Sequence, residues 1–217
     1  MTINHKGISV GTSIVLSAII LVVGGLIYLS GRERSSPSSS TAAAGDTADH
    51  HGLASSGPTS NLQNLINQAA PDFSLTDHNG VTYSLASLKG KNVVLFFNEG
   101  VMCYPACWNQ VALFGADDRF KGDDVVALSV VVDSQQEWNE AVRQLPELAQ
   151  ATVVHDNGAK VSSAYGVLTT KSSMHYGQLP GHTYVVIDQN GIIRHVYDDP
   201  NMAIHNDQLV EEIAKLS

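Results

Sequence analysis

Two unbroken apolar runs of strand length set the limits on this fold. Asn92 to Phe97 reads Asn-Val-Val-Leu-Phe-Phe, and Asp124 to Val132 reads Asp-Val-Val-Ala-Leu-Ser-Val-Val-Val. Runs so dense in β-branched residues, with no polar alternation, mark strands covered on both faces, as in a parallel sheet. Between them, Ala106 to Phe120 carries apolar residues at helical spacing. Pro71–Leu75 and Val81–Leu85 flank Asp77-His78-Asn79-Gly80, and Tyr184–Asp188 and Ile192–Tyr197 flank Gln189-Asn190-Gly191. Each Asn-Gly pair predicts a hairpin. Gln135 to Leu145 reads as a helix, Thr152 to Val154 as a short strand, and Ala159 to Tyr165 as a helix closed by Gly166. Asp207 to Leu216 reads as a closing helix. Strands alternating with helices, then an antiparallel pair and a helix, predict an α/β sandwich around a mixed sheet.

The amino-terminal third has a different character. After a tail of residues 1–7, no residue from Ile8 to Leu29 is charged, a length that spans a bilayer as one helix. The small residues Ala42-Ala43-Ala44 come well past its end, which favours a retained single-pass anchor over a cleaved leader. Lys6 on one flank and Arg32 and Arg34 on the other leave the orientation open. Residues 30–69, rich in Ser, Ala, Gly and Thr, read as a flexible tether in which His50 and His51 are solvated. Residues 70–217 are a single-domain length with eighteen Asp and Glu against nine Lys and Arg, so nucleic acid is excluded as a partner.

The chain's two cysteines, Cys103 and Cys107, follow the first apolar run directly, in Val101-Met102-Cys103-Tyr104-Pro105-Ala106-Cys107-Trp108. A disulfide closing so short a loop adds little stability, so the pair reads as redox or metal chemistry. With a helix starting near Tyr104, Cys103 sits at its amino end, where free N–H groups and the helix dipole favour a thiolate nucleophile. Pro105 suits the first turn, and Cys107, one turn on, is placed to resolve a mixed disulfide. Cα atoms four apart in a regular helix lie near the upper end of the disulfide range, so closing this ring predicts a distorted first turn. Glu99 reads as an exposed loop carboxylate in preference to a proton relay. Trp108 is open to two readings, a flat surface for a partner or core packing. Of the six histidines in 70–217, His182 alone has a positional case for the site; His78, His155, His175, His195 and His205 read as surface or loop residues.

The order of these elements resembles the thioredoxin fold, and within it the redoxin branch, the alkyl hydroperoxide reductase and thiol-specific antioxidant (AhpC/TSA, peroxiredoxin-like) family. The segments that carry the resemblance are Ala70–Leu75 with Gly80, Leu88–Lys91, Val93–Phe97 leading to Cys103, Ser129–Asp133, His155–Gly158 running to Tyr165-Gly166-Val167, and Thr183–Asp188 with Gly191. The resemblance implies a redox-active disulfide, no cofactor, a thiol or disulfide partner that is a protein or a small molecule, and hydroperoxide as a candidate substrate. Peroxidatic sites of that family carry a Pro and a Thr or Ser before the cysteine and use a distant Arg. Here Gly100 stands at the hydroxyl position and His182 at the place of an Arg in one branch, which puts peroxide reduction in doubt. Thioredoxin-like reductases hold a cis-proline near there, and Pro180 is the nearest candidate. Cys103, Cys107 and His182 also resemble the copper-binding set of the Sco family, so copper delivery is the alternative. Disulfide chemistry, with the tether, predicts a domain facing the periplasm or the cell exterior.

Overall fold

The computed structural model describes residues 61–216. Its strands are β1 (Ser74–Asp77), β2 (Thr82–Ser84), β3 (Asn92–Phe97), β4 (Val125–Val131), β5 (Val153–His155), β6 (Thr183–Ile187) and β7 (Ile193–Asp198). Its α-helices are α1 (Ala106–Ala116), α2 (Gln135–Gln144), α3 (Lys160–Ala164) and α4 (Asn206–Ala214). The strands form one sheet in the order β2-β1-β5-β4-β3-β6-β7. The two apolar runs are its centre: β3 and β4 pair in parallel from Asn92↔Val125 to Phe97↔Val130, and β5 continues the parallel set beside β4. β6 joins β3 antiparallel, and β7 pairs antiparallel with β6. This is the mixed α/β sheet the pattern predicts.

Every residue of β3 is buried because its alternating side chains enter two cores. Val94 and Phe96 pack with Val111 and Phe114 of α1, Trp138 of α2 and Leu209 of α4. Val93, Leu95 and Phe97 point the other way, towards Leu62, Phe73 and Tyr165. The period of two along the strand thus produces helices on both faces of the sheet.

Several boundaries move from their sequence positions for local reasons. α1 stops at Ala116, short of the predicted Phe120, because Asp117 turns extended; its carboxylate accepts from the Arg119 N–H (3.1 Å) and starts a separate 3-10 turn. The first strand runs on to Asp77, whose Oδ1 accepts from the N–H groups of Asn79 (2.8 Å) and Val81 (2.9 Å) and so closes the hairpin turn itself. α2 carries a reciprocal cap, with Ser134 and Glu137 exchanging side-chain and backbone bonds.

The folded unit also takes in residues 61–69, which composition assigns to the tether. Leu62–Leu65 forms a 3-10 helix with Leu62 buried against the sheet, and the Asn67 N–H donates to the Ile193 carbonyl (2.8 Å). The Ser-rich bias of the tether ends before this segment, and two leucines suffice to dock it. The anchor at 8–29 lies outside the described residues; among those described, no helix is long and apolar enough to cross a membrane. Leu62→Ala should lower the unfolding free energy by about 2 kcal/mol in a urea titration. An unchanged midpoint would show that this segment contributes nothing to the domain.

Candidate active site

Parallel strands leave a crevice beyond their carboxyl ends, and the chain uses it here. Past Phe97, buried Asn98 bends the backbone: its Oδ1 accepts from the Gly100 N–H (2.9 Å) and its Nδ2 donates to the Phe96 carbonyl (3.3 Å). Gly100–Met102 then forms a 3-10 turn that ends on Cys103. The Trp108 indole N–H donates to the Gly100 carbonyl (3.1 Å) and ties this turn to α1.

Cys103 and Cys107 are bonded to each other, with an S–S distance of 2.00 Å and Cα atoms 5.3 Å apart. The helix starts at Ala106 with Pro105 as its N-cap, not near Tyr104. Cys103 therefore lies in the turn before the helix, and it is Cys107 that occupies the first helical turn. Because one cysteine is outside the helix, the pair reaches the ordinary disulfide Cα range without distorting α1. Both sulfur-bearing residues are buried, at 2% and 1% exposure, while their neighbours Met102 and Tyr104 are 57% and 69% exposed. Both pack in the same apolar core, Cys103 from a loop whose neighbours are exposed and Cys107 from the helix.

His182 comes from the residue before β6, the neighbour of β3, and its Nδ1 lies 3.5 Å from Cys107 Sγ. Burial lowers its pKa to about 4, so the ring is neutral. Its Nε2 meets the Tyr184 hydroxyl at 2.8 Å, and that hydroxyl donates to Gln110 Oε1 (3.0 Å). Gln110 Nε2 donates to Asn206 Oδ1 (2.7 Å), and Asn206 Nδ2 donates to Asp117 Oδ2 (2.9 Å). A polar chain thus crosses the apolar core from Cys107 to the end of α1, with every member partnered.

Glu99 is not the exposed carboxylate its loop position suggests. It is 1% exposed and accepts from the N–H groups of Met174 (2.6 Å) and His175 (2.9 Å) through Oε1. Its Oε2 pairs with His175 Nδ1 (2.9 Å). Glu99 therefore pins the segment before His182 against the cysteine loop. Trp108 is buried and serves packing, with Tyr104 edge-on to it at 5.0 Å. Pro180 is buried, but the cis peptide bond among the described residues is Tyr104–Pro105. His155 is also buried, within β5, where its Nδ1 meets the Asp133 carbonyl (2.9 Å), and His205 pairs with Asp199 (2.8 Å). His155 is thus not the surface or loop residue expected, whereas His205 does lie in the loop before α4.

Two residues near the disulfide escape a reading by spacing. The Met202 thioether lies 3.8 Å from Cys103 Sγ. Asp133 lies two residues past the end of β4, and its Oδ2 accepts from the Val101 N–H (3.1 Å). A Cβ on Gly100, whose φ is +57°, would fall 1.6 Å from that same oxygen. In-register parallel pairing puts the residues after two neighbouring strands side by side, and that was the available signal. Among the described residues, Cys103, Cys107 and His182 have donor atoms all within 4.8 Å of one another, a spacing that could hold a metal ion. With the sulfurs joined, neither is a thiolate, so in this form the set offers a metal only the imidazole.

Burial pushes the Asp133 carboxyl up to about 6, so the native fold favours its protonated form. Its stabilising contribution is complete below the unfolded carboxyl pKa of about 4 and is lost as pH rises through about 6. Asp133→Asn should therefore be the more stable protein by roughly 2–3 kcal/mol near pH 7, an advantage that shrinks to nothing near pH 4. Paired urea titrations across that range check it. A variant that is less stable at every pH would show that the carboxylate is needed in its ionised form.

Comparison with known proteins agrees with this architecture. Residues 66–196 match the AhpC/TSA family. A chloroplastic peroxiredoxin Q of Arabidopsis thaliana is 33% identical over 164 residues, covering 71% of this chain and 72% of that protein. A chloroplastic peroxiredoxin Q of Populus jackii is 31% identical over 152 residues, covering 69% and 66%. The chain spans about two thirds of the length of such relatives, and 58% of the peroxiredoxin Q of Oryza sativa subsp. japonica. Among solved structures, peroxidoxin BcpB of Mycobacterium tuberculosis superposes with a TM-score of 0.57 at 18% identity, over 70% of this chain and 97% of that one, a likeness of fold. On the family match and the peroxiredoxin Q relatives together, this chain belongs to the AhpC/TSA family.

Proposed function

We propose that this chain is a membrane-tethered thiol–disulfide oxidoreductase, with Cys103 as the attacking and attacked sulfur and Cys107 as the resolving one. The observation that carries this reading is the Cys103–Cys107 bond at the carboxyl ends of the parallel strands, with neutral His182 against Cys107. A disulfide that closes four residues constrains little of the unfolded chain, so chemistry, not stability, accounts for it. Cys103, itself buried but carried by a loop between exposed Met102 and Tyr104, is the sulfur a partner meets when that loop yields. The partner is a thiol or disulfide, on a protein or a small molecule. The uncharged stretch 8–29 and the polar tether after it support a domain held at a membrane, on its extracytoplasmic side where disulfides persist.

Hydroperoxide is the poorer substrate on the same geometry. The position of the family's hydroxyl is Gly100, and the Asp133 carboxyl fills the space where its side chain would stand. Arg119, Arg143 and Arg194, the arginines among the described residues, are paired with Asp117 and Asp207, Glu140 and Asp188. A carboxyl in place of a hydroxyl, without a guanidinium, stabilises neither the peroxide nor the charge that develops on its leaving oxygen.

Cys103→Ser should abolish exchange with a small disulfide, and Cys107→Ser should accumulate a mixed disulfide with it, read by intact mass. Full activity in both variants would sink the assignment. Titration of the reduced chain with Cu(I) tests the alternative: one-to-one capture that protects both thiols and weakens in His182→Ala would move the protein to copper delivery.

A further inference from the structure

The proton positions along the buried chain behind Cys107 follow from its hydrogen bonds alone. The His205 backbone N–H, which can only donate, points at Gln110 Oε1 (2.9 Å), so the Gln110 amide oxygen faces Tyr184 and His205. Asn206 Nδ2 faces the Asp117 carboxylate and the Leu113 carbonyl (3.3 Å), both acceptors, which fixes that amide too and leaves its oxygen for Gln110 Nε2. The Tyr184 hydroxyl therefore has only acceptors ahead of it, Gln110 Oε1 at 3.0 Å and the Ala203 carbonyl at 3.5 Å. A hydroxyl owns one proton and spends it on one of these. The contact with His182 Nε2 at 2.8 Å must then be donated by the imidazole. A neutral ring with its proton on Nε2 carries a lone pair on Nδ1, and Nδ1 faces Cys107 Sγ.

We infer that His182 is a catalytic residue, the proton acceptor for Cys107, and that Tyr184, Gln110 and Asn206 position it by fixing its tautomer. This deepens the thiol-exchange reading and rests on it. When Cys103 is joined to a partner sulfur, the Cys107 S–H proton moves to His182 Nδ1. The freed electron pair on Cys107 Sγ forms the Cys107–Cys103 bond. The bond from Cys103 to the partner breaks, and the partner sulfur leaves with its electron pair as a thiolate. The cysteine pair is oxidised by two electrons and the partner disulfide is reduced to two thiols. The imidazolium then loses its proton to solvent, and in the reverse direction it returns one to Cys107 as that sulfur departs.

Both sulfurs are buried, and it is Cys107, in the first turn of α1, that the helix dipole reaches. Deprotonating a thiol in an apolar pocket needs an adjacent base or a positive partner, and a thiolate with an imidazolium 3.5 Å away supplies each charge with its opposite. Other groups whose charge reaches the ring are Asp199, Asp198 and His205, with Asp199 itself paired to His205. Burial pushes the Tyr184 phenol up, so it keeps its proton through the assay range.

The full chain in detergent, reduced and mixed with dithiobis-nitrobenzoate, releases one thionitrobenzoate as Cys103 reacts and a second as Cys107 resolves the mixed disulfide. His182→Gln should slow the second release about 100-fold near pH 7 and leave the first unchanged. The deficit should vanish towards pH 10, above the thiol pKa of about 8.5, where hydroxide makes the thiolate without a base. A second release within about twofold of wild type near pH 7, or one slowed equally at every pH, would overturn the inference. Absence of the first release from the wild-type chain would instead overturn the thiol-exchange reading. A measurement without any variant guards against misfolding: the imidazole nitrogen spectrum of the oxidised wild-type chain, with His182 assigned through its contacts to the Phe96 and Tyr184 rings. Protonated Nε2 with bare Nδ1 supports the inference, and the opposite tautomer refutes it.

Discussion

Parallel pairing of β3 with β4, from Asn92↔Val125 to Phe97↔Val130, is the constraint on which the site depends. It brings two carboxyl ends to one edge, so the loop with the disulfide and the residue Asp133 emerge together. Because β6 pairs with β3 on its other side, Phe97↔Thr183 places His182 just beyond the same edge. Three segments far apart in sequence meet there by backbone hydrogen bonding, before any side chain chooses a partner. The site is then secured by polar atoms that cannot reach water: Asn98 on the turn, Trp108 on Gly100, and Glu99 on the segment 173–175. Each would leave a buried donor or acceptor unpaired if the loop moved, at a cost of about 1–3 kcal/mol apiece.

Much of the fold was legible because it depends on period and length. The unbroken runs at β3 and β4, the Asn-Gly turns and the helical spacing of α1 are local patterns, and the sheet's mixed topology followed from their order. The cysteine pair was equally plain, and so was His182, which lies next to the strand the pattern placed. Burial of single polar residues was not legible. Glu99 reads as a loop carboxylate because most glutamates are exposed, and only the fold reveals that three donors from 173–175 surround it. The start of α1 was misplaced because a cysteine and a proline before an apolar repeat look like a first turn; the chain instead makes a separate 3-10 turn there. Tyr184 and Gln110 read only as strand and helix interior, and their chain of bonds to Cys107 exists in three dimensions alone.

The two sulfurs of the disulfide, buried alike in one core, differ in their neighbours. Cys103 is bordered by exposed Met102 and Tyr104 and touched by the Met202 thioether, a soft, mostly apolar setting for an incoming sulfur. Cys107 is enclosed by the core and met by an imidazole held on both sides. Gly100 and Asp133 sharpen the distinction on the outer side. The left-handed backbone at Gly100 and the carboxyl against it leave no room for a hydroxyl beside Cys103.

That substitution matters because it exchanges one kind of electrostatics for another. A hydroxyl can donate to a peroxide oxygen and stay neutral, whereas a buried carboxyl pushed up to about 6 by burial is mostly charged at pH 7. A negative charge on Asp133, held by the Val101 N–H in the turn that leads to Cys103, opposes a second negative charge on that turn. On the inner side, the His182 lone pair faces Cys107, where a proton can pass in either direction, and it favours neither the open nor the closed pair. The two buried titratable groups therefore act on different quantities, Asp133 on the charge carried by the turn before Cys103 and His182 on the ease with which Cys107 gives up its proton.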